Sequence, residues 1–367
     1  MIKHAYIHIP FCETLCSYCD FCKLYYDEKL VDRYLDALEK EIQSIYQKEE
    51  LETIYIGGGT PSSLSLSQLE KLFQILSLFQ KKEHCEMTME CNFENTTKEK
   101  LELFKKNGVN RLSFGIETFS EKFFPFLRRR TSLKQVKEIL TESRKMGFGN
   151  INVDLMYAFP KQSIEELRDD LKTILSLNVE HISTYSLMIE DHTLLGIQKI
   201  QNISEDMDAE MYEEICKVLK ENHYDHYEIS NFCKEGYSSS HNLCYWNNEM
   251  YYGFGLGASA YLPHLRMSNT KSISEYWKGN RVLEKEELNQ EMEMDYEVLL
   301  NLRKKEGISL SSFQNKYQKE LKKIYPISSC VQKGFLEEDE NHVWIPEEKW
   351  YISNEIILEL LGGKANE

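Results

Sequence analysis

Short runs of β-branched and aromatic residues alternate with amphipathic stretches along the first two hundred residues, and this alternation limits the folds open to the chain. Candidate strands cover residues 5–9, 53–56, 86–90, 111–115, 152–156 and 181–187. Helical periodicity fills the gaps, as in 31–46, where Leu35, Leu38, Ile42 and Ile45 share a face, and again in 67–79 and 164–177. Strands joined by helical crossovers run parallel, so the fold class is α/β, either a full or partial barrel or a doubly wound sheet. Periodicity alone does not separate the two.

The pattern changes after about residue 200. A helix at 209–222 leads into a Tyr-, Asn- and Gly-rich stretch, 224–261, without clean periodicity. Residues 280–300 are strongly acidic and read as helix, and 334–345 read as a small β-ribbon attached to a helical region. At roughly 150 residues per domain, 367 residues make about two domains unless one barrel takes most of them. The expected division is a core at 1–230, an extension at 231–288 and a mainly helical C-terminal domain at 289–367.

Cys12, Cys16, Cys19 and Cys22 crowd into one loop after the first strand, opened by Pro10, while six other cysteines are scattered. The N-terminus enters a strand at once and carries no signal-peptide core, so the expected compartment is the reducing cytoplasm, where such a cluster serves a metal or cofactor. Four cysteines could close a zinc site, although no second pair follows at a distance. Three thiolates in the spacing Cys12-x3-Cys16-x2-Cys19 suit three irons of a [4Fe–4S] cube and leave the fourth iron open.

This spacing, with Tyr6-Ile7-His8-Ile9-Pro10-Phe11-Cys12 before it and Cys19-Asp20-Phe21 closing it, resembles the radical S-adenosylmethionine (SAM) superfamily. Within it the chain is similar, over nearly its whole length, to the coproporphyrinogen III dehydrogenase-like branch. The resemblance implies a partial parallel (β/α) barrel, a [4Fe–4S] cluster on Cys12, Cys16 and Cys19, and SAM bound at the open iron and cleaved by electron transfer to its sulfonium. Cys22 lies one position beyond the place of the dehydrogenase's fourth cysteine, which here is Phe21, and reads as a neighbour of the cluster.

The resemblance extends to the SAM site. Gly57-Gly58-Gly59-Thr60-Pro61 matches the motif that holds the methionyl amino group, with Gly58, Gly59 and Thr60 as contacts; it lacks the Lys-Ser/Thr of a phosphate loop and could also be a bare tight turn. Glu90, at a strand end, matches a SAM-contacting carboxylate, against the alternative of a solvated side chain. Glu117 stands where glutamine is usual, and Arg129 follows it by twelve residues at the place of a SAM-contacting arginine. The run Arg128-Arg129-Arg130 is otherwise a basic helix end. Asp154 matches an aspartate that binds the ribose hydroxyls, or caps a turn. Tyr6 and Tyr18 match positions flanking cluster and cofactor, where packing aromatics would also fit.

His241-Asn242-Leu243-Cys244-Tyr245-Trp246 fits the HNxxYW pattern of the heme chaperones in this branch, making His241 a candidate heme ligand; a hydrogen-bonding structural histidine is the plainer reading. Only eleven residues precede Cys12, whereas the dehydrogenase has a longer leading segment. The function so implied is a heme-binding chaperone that transfers heme to recipient apoproteins, with coproporphyrinogen III dehydrogenation as the enzymatic alternative. A homodimer and peripheral membrane contact rest on the resemblance alone.

Composition narrows the rest. With 44 Lys and Arg against 60 Asp and Glu, the net charge of −16 argues against general nucleic-acid binding. No apolar run approaches the roughly 18 residues of a membrane span.

Overall fold

The computed structural model describes residues 1–364. All six strands expected from sequence are present, most of them longer than the local pattern. They are β1 (His4–Ile9), β2 (Leu51–Gly58), β3 (Lys81–Cys91), β4 (Arg111–Glu117), β5 (Asn150–Tyr157) and β6 (His181–Ser186). Each pairs with the next in parallel, in the order of the chain. The intervening helices include α1 (Glu28–Ile45), α2 (Leu66–Leu76), α3 (Lys98–Lys106), α4 (Leu133–Lys145) and α5 (Ile164–Ser176). Their starts are written in the sequence: Asp27 accepts from the Leu30 amide, and Ser65 with Gln68 and Ser163 with Glu166 form capping boxes. Helix α1 buries Val31, Tyr34, Leu35, Leu38 and Ile42 at helical spacing.

A helix α6 (Glu205–Glu221) and the antiparallel hairpin β7 (Asp225–Glu228) and β8 (Asn231–Cys233) follow, with β8 pairing on β6. After the short helix α7 (Ser240–Trp246), the chain crosses back. Strand β9 (Tyr251–Phe254) pairs in parallel with β1, and β10 (Ser259–Leu262), β11 (Leu265–Asn269) and β12 (Val282–Glu287) extend that edge antiparallel. The result is one twelve-stranded sheet, parallel in its centre and antiparallel at both ends: a partial parallel barrel.

Two expectations change. Residues 280–300 are not one helix: β12 pairs with β11, and only α9 (Gln290–Asn301), after α8 (Ile273–Lys278), is helical. Gly279 in the left-handed region ends α8, and Asn289 caps α9 through the Met292 amide, so two punctuation points outweigh the helix-favouring composition. The boundary at 230/231 falls in the β7–β8 turn, and residues 251–287 complete the barrel sheet. Beyond 289 the chain is mainly helical, with the expected ribbon at Glu337–Glu338 and His342–Trp344 joined by Ile308–Ser309. Its apolar residues are continuous with the barrel core.

The returning segment is clamped by one buried carboxylate. Glu41 on α1 accepts from the Gly255 amide at 2.9 Å, from Asn269 Nδ2 at 2.7 Å and from the Tyr276 hydroxyl at 2.5 Å. These donors come from the turn after β9, from β11 and from α8, so one α1 side chain bonds three elements of the extension, beside Tyr34, which accepts from the Leu256 amide at 3.1 Å.

Candidate functional site

The cysteine loop is closed at its base by the Leu24 amide on the Pro10 carbonyl (2.6 Å) and the Tyr26 amide on the Cys12 carbonyl (2.9 Å). From above, the Ser17 amide and hydroxyl bond the carbonyls of Leu127 and Phe126, and the Leu195 amide bonds the Ser17 carbonyl. Cys12, Cys16 and Cys19 are free thiols on the edge of one cavity at the C-terminal ends of the parallel strands. Cys12 is buried beneath the Thr60 hydroxyl, 3.5 Å from its sulfur. Cys22 does not line the cavity; its thiol packs beside Gly257 and its carbonyl accepts from His8 Nε2 at 2.7 Å.

The glycine turn after β2 holds the loop in place. Gly58 donates to Glu90 Oε2 (2.8 Å), Gly59 to the Ile9 carbonyl (2.9 Å) and Thr60 to the Phe11 carbonyl (2.9 Å). These three amides are therefore committed to the protein. A Cβ at Gly59 would lie within 3 Å of the backbone of Ile9, Pro10 and Phe11. Close backbone approach is what requires glycine there.

Besides Asp20 on the cysteine loop, three carboxylates at strand ends face the same cavity. Glu90, raised by burial, also accepts from the Tyr55 hydroxyl at 2.7 Å. Glu117 sits at φ +66° and receives Arg129 Nη1 at 2.8 Å, while Arg129 Nη2 reaches Asn92 Oδ1 and the Gly115 carbonyl, each at 2.7 Å. Of the arginine run, Arg128 caps the turn Phe124–Leu127 and is exposed, as is Arg130; only Arg129 turns inward. The departure from glutamine at position 117 thus creates a buried ion pair.

Asp154 accepts from Asn152 Nδ2 at 2.7 Å, and burial, then Glu117 and Glu90, push its pKa up from 3.8 to about 7. An acid raised on folding favours the native state when protonated. Its contribution is present below pH about 4 and is lost as pH rises through about 7. Asp154→Asn should therefore gain on the unliganded wild type by roughly 4 kcal/mol between pH 4 and 8. Paired melts across that range check this, and parallel curves would count against it.

Tyr18 lines the cavity, and Tyr6 stands one ring behind its wall, stacked on Tyr55 at 6.1 Å with its hydroxyl 2.9 Å from His8 Nδ1. His241 does not line the cavity. It is 1% exposed on α7, with Nδ1 at 2.6 Å from Thr53 Oγ1, Nε2 at 2.8 Å from the Tyr245 hydroxyl, and its ring stacked on Tyr55 at 5.2 Å. Both ring nitrogens are occupied, so this conformation presents none to a heme iron. Its neighbour Asn242 does reach the cavity.

Several lining residues were not singled out from sequence: Tyr55, Asn92, Arg111, Ser113, Asn152 and Tyr185. Their signal was the alternation along each strand. Arg111, Ser113, Gly115 and Glu117 share one face of β4, as Asn152, Asp154 and Met156 do on β5.

Comparison with known proteins gives the family. Residues 6–174 match the model of the Radical SAM superfamily. The heme chaperone HemW of Bacillus subtilis (strain 168) is 37% identical over 98% of this chain and all of that protein. The chain belongs to the HemW family of radical SAM proteins. The HemW of Lactococcus lactis subsp. lactis (strain IL1403) is 36% identical over 97% of both chains, and that of Escherichia coli (strain K12) 32% over 81% of both. Among solved structures, the coproporphyrinogen III oxidase HemN of Escherichia coli matches with a TM-score of 0.86 over 98% of this chain and 90% of its own, at 21% identity, a likeness of fold.

Radical SAM membership implies a [4Fe–4S] cluster and SAM, and this HemW-family cavity has the chemistry for both. Three free thiols stand along one edge, and among the described residues no three His, Cys, Asp or Glu converge to hold a single metal ion. Across the cavity, three carboxylates raised by burial, Asp154 further by Glu117 and Glu90, suit a ligand bearing ammonium and sulfonium charges. Arg129 Nε, buried without a partner, adds an unused donor at the same wall.

Proposed function

We propose that this chain is a cytoplasmic heme chaperone, which binds heme and passes it to recipient apoproteins. Cys12, Cys16 and Cys19 would hold the cluster, and Glu90, the Glu117–Arg129 pair and Asp154 would line the SAM site. The observation that carries this reading is the 37% identity with a heme chaperone along its full length. Ten free cysteines accord with a reducing compartment, and no helix among the described residues is long and apolar enough to cross a membrane. The dehydrogenase alternative has only a shared fold behind it.

When bound together, cluster and SAM supply one-electron cleavage of a carbon–sulfur bond. The protein's part is to bind and orient. Asp154 offers a carboxylate to hydroxyl donors and is itself positioned by Asn152. Tyr55 and the Gly58 amide fix both oxygens of Glu90, and the Tyr55 ring is backed in turn by His241.

Anaerobic titration of cluster-reconstituted protein with heme, followed by Soret absorbance, tests the proposal. The expected result is saturation near one heme per chain, then transfer to an added apoprotein. Because both His241 nitrogens are occupied, His241→Ala should leave the Soret position of bound heme unchanged while lowering the melting temperature. Unsaturable binding would overturn the chaperone reading. A Soret shift confined to His241→Ala would instead show that the ring leaves Thr53 and Tyr245 to ligate iron.

A further inference from the structure

Strand β4 begins on an arginine that is left unpaired among the described residues. Arg111 is 2% exposed, faces the cavity, and its guanidinium forms no ion pair or hydrogen bond with any described side chain. The strand register sets Arg111 level with Thr88 on β3 and with Asn150 on β5. On that level Thr88 Oγ1, Arg111 Nε and Asn150 Oδ1 are all buried without a hydrogen-bond partner. Three adjacent strands thus leave three polar atoms unsatisfied at one height inside the barrel.

Unpaired burial of a guanidinium is costly, and buried polar groups almost always find partners. The other inward arginine shows the usual solution: Arg129 is matched by Glu117, Asn92 and the Gly115 carbonyl. Arg111 has no such match. Glu90 and Tyr55 feel its charge, yet their own bonds go to each other and to Gly58.

We infer that Arg111 is the anchor of a carboxylate-binding subsite at the floor of the cavity, used by the ligand that fills it. The planar fork of a guanidinium matches a planar carboxylate in two parallel bonds. A singly charged group suits the place better than a dianion, because Glu90, Glu117 and Asp154 line the same cavity. The aromatic rings of Phe21 and Tyr185, which line the same cavity, are 68% and 43% exposed. Aromatic rings in one cavity with an unpaired cation fit a flat aromatic ring system bearing carboxylates, as a tetrapyrrole with propionate side chains is. The choice of a propionate rests on the heme reading above; the carboxylate of SAM is the other source of the same chemistry.

Binding to reconstituted wild type, Arg111→Gln and Arg111→Lys tests this with two pairs of probes. The first is protoporphyrin IX against its dimethyl ester, by porphyrin fluorescence; the second is SAM against decarboxylated SAM, by equilibrium dialysis. Arg111→Gln should weaken the diacid porphyrin at least tenfold and leave the ester unchanged, with Arg111→Lys between the two. A loss confined to SAM, and absent for decarboxylated SAM, would uphold the subsite and assign it to the cofactor. If the wild type binds neither porphyrin, the heme reading fails, and the SAM pair decides the subsite alone. The inference is overturned if Arg111→Gln treats each carboxylate ligand and its carboxylate-free analogue alike. Melting temperature gives a separate check on folding: removing an unpaired buried charge should hold or raise it.

Discussion

Arg129→Ala is expected to destabilise the protein by about 3–5 kcal/mol, the cost of leaving a buried charge without its partner. The Glu117 and Arg129 side chains are only 9% and 11% exposed. Truncation strands the Glu117 carboxylate and removes the donor to Asn92 Oδ1 and the Gly115 carbonyl. Adding Glu117→Gln to Arg129→Ala should recover much of that loss, since the isolated charge is then gone. The penalty should also depend on pH. Glu117 is already raised by burial, and without Arg129 it rises further, so the single variant should approach the wild type as pH falls and the carboxylate protonates. Denaturant unfolding of wild type, single and double variants at pH 5 and pH 8 reads this directly. A single variant as stable as wild type at pH 8 would show the pair contributes nothing. SAM affinity should fall in both variants, which separates the role in the site from the role in the fold.

Glu41→Ala should cost a comparable amount, about 3–5 kcal/mol, and the damage should be local. The Gly255 amide, Asn269 Nδ2 and the Tyr276 hydroxyl would all lose their acceptor inside the core. Asn269 keeps a bond to the Gly255 carbonyl at 2.8 Å and Tyr34 keeps the Leu256 amide, so the segment stays seated while its three buried donors lose their acceptor. Hydrogen exchange should accelerate first across β9 to β12 and leave β2 to β5 protected. Uniform acceleration over the whole sheet would mean that Glu41 contributes to global stability and does not act as a clamp.

How far the site could be read from sequence depended on the distance over which each feature is encoded. The cysteine loop was legible because its spacing lies within eleven residues. The six parallel strands were legible because two-residue and helical periodicities are local. Acidic residues 280–300 misled because composition favours a helix while pairing with β11 is a contact the local pattern does not announce. Strand β9 has four residues, Tyr-Tyr-Gly-Phe, too few to show alternation, and exists because β1 offers it a parallel edge. Arg111 looked like an ordinary strand residue, and only the register beside Thr88 and Asn150 reveals three unpaired atoms on one level.

The sequence by itself determined the strand–helix alternation, the three-thiol loop, the glycine turn and the carboxylates at strand ends, because residue identity and short-range spacing specify them. Only the tertiary structure decided that Arg129 turns inward while Arg128 and Arg130 face solvent. It alone also decided that Glu117 is an ion-pair partner and that His241 is held on both nitrogens. The physical reason is that each outcome depends on groups far apart in the chain, such as Thr53 against His241 across 188 positions. Burial then charges a side chain for every unmet bond, and which bonds are met is known only when the elements have packed.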